Sequence, residues 1–174
     1  MPPTDSPILQ TKRLRLRTIA LRDADFIVEL TQDPDWIQYV GNPNLQNTSD
    51  GEHFILSRFH AAYEKTGLGL WMVEEIASAE KLGICGLINR DSLEDIDLGF
   101  GFPKQHRRAG FAYEASLGCL EYAKQTLGLS RVIAITNKDN EASGKLLEKL
   151  GFSLEGLFPF EQEKEKLRRF GLAL

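Results

Sequence analysis

Apolar positions along the chain change period several times, and the changes mark its elements. From Arg13 to Ile19, Leu14, Leu16 and Thr18 alternate with Arg13, Arg15 and Arg17, which predicts a strand with one wet face. Asp23 then stands where a helix cap belongs, ahead of Phe26, Ile27 and Leu30 at helical spacing. Asp33-Pro34-Asp35 breaks that helix. Trp36 to Asn47 is aromatic and rich in turn residues, and reads as a loop. Ser49 or Asp50 starts a second helix carrying Phe54, Ile55, Arg58, Phe59 and Ala62, with Glu52 at capping-box distance from Ser49. Gly67 and Gly69 stop it.

Three strands follow, at Leu70 to Glu75, Leu82 to Asn89 and Ile96 to Phe102, the first two joined by a hairpin loop over 77–81. A third helix runs from about Gly110 to Leu127. Its buried stripe is Ala112, Ala115, Cys119, Leu120, Ala123 and Leu127, and Gly128 ends it. Arg131 to Thr136 is continuously apolar after its first residue, as a central strand is. A fourth helix spans about Glu141 to Leu150, stopped by Gly151. Two last strands lie near Ser153 to Pro159 and Leu167 to Leu174, and the charged run Glu161 to Lys166 reads as a solvated turn between them. The order β-α-α-β-β-β-α-β-α-β-β predicts one α/β (α+β) domain around a mixed sheet over residues 1–174, with 1–10 a loose lead-in. The early half lacks βαβ repeats, so this is not a doubly wound nucleotide fold.

Composition narrows the function classes. A chain of 174 residues suits one domain with a full core. Net charge is −4, so no global basic field invites nucleic acid. Cys85 and Cys119 form no CxxC pair, so no metal site is expected, and their apolar neighbours predict buried free thiols. The N-terminus lacks a cationic region followed by an apolar run, and no segment approaches a membrane span. A cytoplasmic enzyme or binding protein fits these features.

The chemistry concentrates at Arg107-Arg108-Ala109-Gly110-Phe111-Ala112, where a basic loop becomes a helix just after an apolar strand. The first N–H groups of a helix lack internal partners, and the dipole adds partial positive charge. Gly110 lets a ligand approach the backbone closely. Lys104, His106, Arg107 and Arg108 add a basic cluster to an otherwise acidic chain. A phosphate or pyrophosphate ligand follows. The loop lacks the Lys-Ser/Thr ending of a Walker A sequence and is not a GxGxxG turn after a first strand.

Arg107-x-x-Gly110-x-Ala112 resembles the Arg/Gln-x-x-Gly-x-Gly/Ala pattern of the GCN5-related N-acetyltransferase (GNAT) superfamily. Asn140-x-x-Ser143, leading into Leu146-Leu147-Glu148-Lys149-Leu150-Gly151-Phe152, looks like that family's second motif. Arg13-Leu14-x-Leu16-Arg17 with Asp23-Ala24, Asp97-Leu98-Gly99-Phe100, and Tyr113-Glu114-Ala115 are similar to the RimJ/RimL-like branch. The resemblance covers nearly the whole chain, in order. It implies a mostly antiparallel sheet and acetyl-coenzyme A as cofactor, with the pyrophosphate held by backbone N–H groups of Arg107, Arg108, Ala109, Gly110, Phe111 and Ala112. It also implies that Phe100-Gly101-Phe102 splays from the strand Arg131 to Thr136 and pairs with the pantetheine arm. One freed N–H there would polarise the thioester. Gly99 and Gly101 fit a bulged strand with close backbone approach. Asn140 and Ser143 would face the cofactor near its sulfur, although Asn140 also suits a helix cap.

Acetyl transfer to an amine needs a neutral amine, a polarised thioester and a proton for the departing thiolate. Asp97 is the base candidate, acting through a water, with a solvent-exposed strand-end carboxylate as the bland reading. Glu161 is a weaker second. Ser143 is the acid candidate, because the position where many members carry a tyrosine is Leu147. Trp36 and Tyr39 are candidate acceptor contacts. Phe59 reads as core, and His53 and His60 as structural. The acceptor is a protein N-terminal α-amine or a small-molecule amine, and the pocket residues leave that open. The alternative is a non-catalytic acyl-CoA-binding regulatory module. A thiol enzyme using Cys119 is disfavoured by its place on the apolar stripe. A monomer or a homodimer is compatible with the sequence.

Overall fold

The computed structural model describes residues 6–160 and 166–174. Its strands are β1 (Leu9–Gln10), β2 (Leu14–Arg17), β3 (Gly69–Glu75), β4 (Lys81–Ile88), β5 (Asp97–Gly101), β6 (Arg131–Asn137), β7 (Ser153–Phe158) and β8 (Leu167–Ala173). They form one sheet in the order β1-β2-β3-β4-β5-β6-β8-β7. Among these neighbours only β5 and β6 are parallel. The helices are α1 (Ala24–Gln32), α2 (Pro34–Tyr39), α3 (Thr48–Phe54), α4 (Ala61–Thr66), α5 (Phe111–Gln125) and α6 (Glu141–Lys149). A π-helical stretch, Ile55–His60, joins α3 to α4. The mixed, mostly antiparallel sheet agrees with the sequence reading, as does the element order apart from the added β1 and α2.

Two helical layers cover the sheet. Cys85 of β4 faces α5, where its Sγ lies 3.7 Å from both Ser116 Oγ and Cys119 Sγ. Phe100 is its register partner on β5 and shares that face. The predicted stripe of α5 holds, with Ala115, Cys119 and Ala123 fully buried. Leu147 of α6 packs in the same core as Val132, Ala134 and Phe170. The opposite face carries Gly99 and Gly101, and α2 lies over it. A Cβ on Gly101 would sit 2.7 Å from Trp36 Cζ3.

Five local expectations are corrected. Leu9–Gln10, inside the presumed lead-in, pair with Leu16 and Arg15. The face of β2 read as wet stays part-open at Arg13 and Arg15 but is covered at Arg17. Arg17 is 2% exposed and binds Asp23 and Glu74. Asp23 therefore spends its carboxylate on Arg17, Lys81 and the Ala20 N–H rather than on capping α1. Pro34 breaks one helix and opens the next, because a proline at the first helical position loses no hydrogen bond. The first part of the expected loop after it, through Tyr39, is thus α2, with Asp33 accepting from the Asp35 N–H. Finally, α3 is capped by Asn47, which accepts from the Asp50 N–H at 3.0 Å, not by a Ser49–Glu52 box. The expected turn over Glu161 to Lys166, and the base candidate Glu161 with it, lies outside the described residues except for Lys166.

Candidate active site

The parallel pairing of β5 with β6 is confined to Asp97↔Ile133, with the Ile133 N–H donating to the Ile96 carbonyl at 2.9 Å. Beyond Asp97 the two strands have no further register partners among the described residues, while β5 stays paired with β4 out to Gly101. The β4–β5 register is continuous, so the glycines do not mark a bulge there. They keep the face clear. A Cβ on Gly99 would meet Ile88 and Leu70 at 3.0 Å, and one on Gly101 would meet the Trp36 indole.

Asp97 closes the paired end of this opening. It is 2% exposed, which rules out a solvated strand-end carboxylate. Its Oδ2 accepts from Arg90 Nε at 2.9 Å, and its Oδ1 forms no hydrogen bond of good geometry. Burial pushes the carboxyl up to about 6, while the Arg90 guanidinium and the Ile135 N–H pull it the other way. Arg90 also lies over the Phe160 ring, 5.5 Å from its centroid. Asp97, Gly99 and Gly101 share a face by strand alternation, so Trp36 lies over the same surface as Asp97. Tyr39 is half-buried like Trp36, one turn along α2 on the same side of the helix. A cavity of about 220 Å³ adjoins Ile133, walled by Asp95, Phe158, Phe160 and Arg169.

The basic loop is built differently from its sequence reading. Arg107 turns back on the protein. It donates from Nε to the Phe102 carbonyl at 2.8 Å and from Nη2 to Asp33 at 2.7 Å, and it also pairs with Asp35. Asp33 accepts from the Lys104 N–H at 3.1 Å as well. The corner between α1 and α2 thus grips the loop before α5. No sequence spacing announced this, because the partners stand about seventy positions apart. His106 lies 3.6 Å from Glu80. Lys104 and Arg108 are both exposed, on either side of the half-buried His106 and Arg107.

Beyond Arg107 the backbone is shaped for an anion. Arg108 has φ 64° and Gly110 φ 82°, both left-handed, and α5 begins without a side-chain cap. Its first-turn N–H groups, at Phe111 and Ala112, therefore keep the donor capacity that a helix start leaves over. Arg13 adds a cation that the sequence reading assigned only to a strand face. It donates to the Ala109 carbonyl at 3.1 Å and to Glu114 at 2.6 Å, and lies over Phe111. These features fit a pyrophosphate held by backbone donors.

At the neighbouring helix start, Asn140 Oδ1 accepts from the Ser143 N–H at 3.2 Å, so Asn140 takes its capping role. Ser143 is half-buried in the first turn of α6, and Leu147 one turn on is fully buried. The other candidates settle as structure. Phe59 is core, His53 is exposed and bonded to the Ser49 carbonyl, and His60 contacts the Ile19 carbonyl. Cys119 is fully buried beside Cys85, which pushes its thiol pKa up and leaves it inert. Among the described residues no cluster of His, Cys, Asp or Glu could hold a metal ion, and no helix is long and apolar enough to cross a membrane.

Residues 13–153 match the family described as the acetyltransferase (GNAT) domain. The chain belongs to the GNAT acetyltransferase family. It is an acyltransferase, and the acyl donor of the family is acetyl-CoA. An uncharacterised N-acetyltransferase of Bacillus subtilis, YoaA, is 35% identical over 153 residues, 87% of this chain and 85% of the relative. The ribosomal protein uS5-alanine N-acetyltransferase of Escherichia coli is 28% identical over 59% of this chain and 52% of its own length. A solved acetyltransferase of Agrobacterium tumefaciens superposes with a TM-score of 0.81 at 23% identity, covering 98% of this chain and 96% of that one.

Proposed function

We propose that this GNAT domain, spanning the chain, moves an acetyl group from acetyl-CoA directly to a primary amine. Acetyl-CoA supplies the acyl group as a thioester, which the amine attacks to give a tetrahedral intermediate that collapses with loss of the thiol. The observation that carries this reading is Asp97: a buried carboxylate, with one oxygen free of any well-formed hydrogen bond, at the point where β5 and β6 part.

Asp97 takes a proton from the incoming ammonium through a water, and Arg90 holds it in place. A carboxyl near 6 is a better base than an ordinary one and is still ionised at neutral pH. The backbone of Phe100, Gly101 and Phe102 lines the opening as an edge for the pantetheine arm. The loop Arg107 to Ala112 holds the pyrophosphate, and Asn140 orders the turn that presents Ser143. Ser143 returns a proton to sulfur. Trp36 and Tyr39 flank the acceptor.

The acceptor class that suits this base is an α-amine. Its pKa is around 8, against about 10.4 for a lysine, so one buried carboxylate can neutralise it. The relative acting on the alanine of a ribosomal protein points the same way. The test is incubation with acetyl-CoA and a panel of N-terminal peptides, lysine peptides and small amines, read by thiol release and product mass. A mass increase confined to α-amine peptides is the expected result. Acetylation of small amines alone would replace the acceptor, and binding without product would sink the catalytic reading.

A further inference from the structure

Arg168 of β8 occupies an electrostatically odd place. It lies opposite Thr136 in the β6–β8 register, on the face covered by α6. Its Nη2 donates to the carbonyl of Asn140, the cap of α6, at 2.7 Å. A cation at the positive end of a helix dipole is unfavourable unless something negative comes there. Its one ion pair among the described residues is loose, at 3.7 Å to a mostly exposed Glu141. Its side chain is 15% exposed, and its Nε forms no hydrogen bond.

The seat is built. Gly144 lies in the first turn of α6, where a Cβ would fall 3.0 to 3.3 Å from the guanidinium. Glycine weakens a helix interior, and here it leaves room for the arginine. Phe170 also lies against the guanidinium, 5.6 Å from its ring centroid. Thr136, 8% exposed, carries a buried Oγ1 without a hydrogen bond. It stands near the end of β6, on the strand between Arg168 and the opening toward β5. A loosely paired cation, an unpaired hydroxyl and a helix N-terminus thus converge beside Ser143. Leu147, one turn on, offers no proton.

We infer that Arg168, seated by Gly144, stabilises negative charge on the coenzyme A sulfur as the thioester breaks. The carbon–sulfur bond gives its electron pair to sulfur, and the proton follows from the Ser143 side. Thr136 turns its hydroxyl toward the same charge. This rests on the proposed course of the cofactor between β5 and β6.

The test needs no turnover. Free coenzyme A is bound to the protein, and its thiol is titrated by the ultraviolet absorbance of the thiolate. The bound thiol is expected to titrate about one unit below free coenzyme A in the wild type. Arg168→Met is expected to restore the free value, and Arg168→Lys to keep part of the shift. Equal bound values in the wild type and Arg168→Met, with coenzyme A bound to both, would overturn the inference. Should Arg168→Met not fold, Arg168→Gln removes the charge while keeping an amide donor on the side of the Asn140 carbonyl. A raised bound-thiol value then supports the inference, and an unchanged one overturns it. Failure of the wild type to bind coenzyme A would overturn the cofactor reading beneath it.

Discussion

Arg107 and Asp33 are joined by an Nη2–Oδ1 ion pair of 2.7 Å that ties the loop before α5 to the corner between α1 and α2. The Asp33 side chain is only 8% exposed, so the pair is partly shielded from solvent. With the Lys104 N–H on the other oxygen, Asp33 fixes both ends of the turn that delivers the backbone to Gly110. Asp33→Ala is expected to weaken acetyl-CoA binding about tenfold, the scale of one charge-assisted contact. Calorimetric titration would read it, and an unchanged affinity would show that the loop holds its shape alone. Arg107 and the Lys104 N–H keep the Asp33 carboxyl below its ordinary range, against the opposing pull of burial. The contribution is therefore complete above that range and is lost only as pH falls through the lowered value.

Asp97 has the opposite sign. Its carboxyl, pushed up to about 6 by burial, binds a proton in the folded state that the unfolded chain has released. Between about 4 and 6 the folded state holds more protons, so this group's contribution to stability falls as pH rises through that window. Asp97→Asn removes the titration. Its melting temperature relative to wild type is expected to climb across the same window, while turnover falls about a hundredfold or more. The acid limb of the wild-type rate profile near pH 6 should vanish with it. A variant that keeps that limb would move the base elsewhere.

The contrast between these two aspartates shows what the chain discloses before it is folded. Asp97 is legible through the resemblance, on the strand Asp97-Leu98-Gly99-Phe100 where relatives carry a carboxylate. The amphipathic stripe of α5 and the glycine stops at 128 and 151 are legible for a different reason: periodicity and left-handed φ are local properties. Asp33 is not, since its partner is remote in sequence. Arg17 reads as solvent-facing and is buried. Alternation says which side chains share a face, but not whether a helix will later cover it. Asn47 displaced Ser49 as a cap because two candidates so close in sequence differ only in the backbone entering the helix. Arg168 gave no signal at all, and only the space at Gly144 betrays it.

The buried Arg17 end of β2 makes its own prediction. Arg17 joins Asp23 at 2.7 Å and also binds Glu74, with all three side chains no more than 6% exposed. The hydrogen bonds of Arg17 hold the Asp23 carboxyl down to about 2, and Glu74 below its ordinary value, against the opposing cost of burial. Arg17→Met would leave two buried carboxylates without their main partner. A loss of about 3–5 kcal/mol is expected at neutral pH. The loss should shrink as pH falls and the stranded carboxyls take up protons. Urea denaturation at two pH values measures both. A loss under about 1 kcal/mol at neutral pH would mean that solvent reaches the pair.

Trp36 and Gly101 offer the sharpest check on the acceptor side, because their relation is steric and reciprocal. A Cβ at position 101 would fall 2.7 Å from the indole, too close to be absorbed without moving it. Gly101→Ala is therefore expected to raise the KM for the acceptor about tenfold by displacing Trp36, and Trp36→Ala to do the same by deleting it. If both act through the indole, the effects cannot add: once position 36 is alanine, the added methyl at position 101 no longer meets the ring, and the double variant should resemble Trp36→Ala alone. Fully additive effects would mean that Gly101 matters for the cofactor edge and not for the acceptor. The KM for acetyl-CoA, measured on the wild type, both single variants and the double variant, separates these outcomes. It should stay level in Trp36→Ala, and a rise confined to the two proteins that carry Gly101→Ala would assign the glycine to the pantetheine side of the strand.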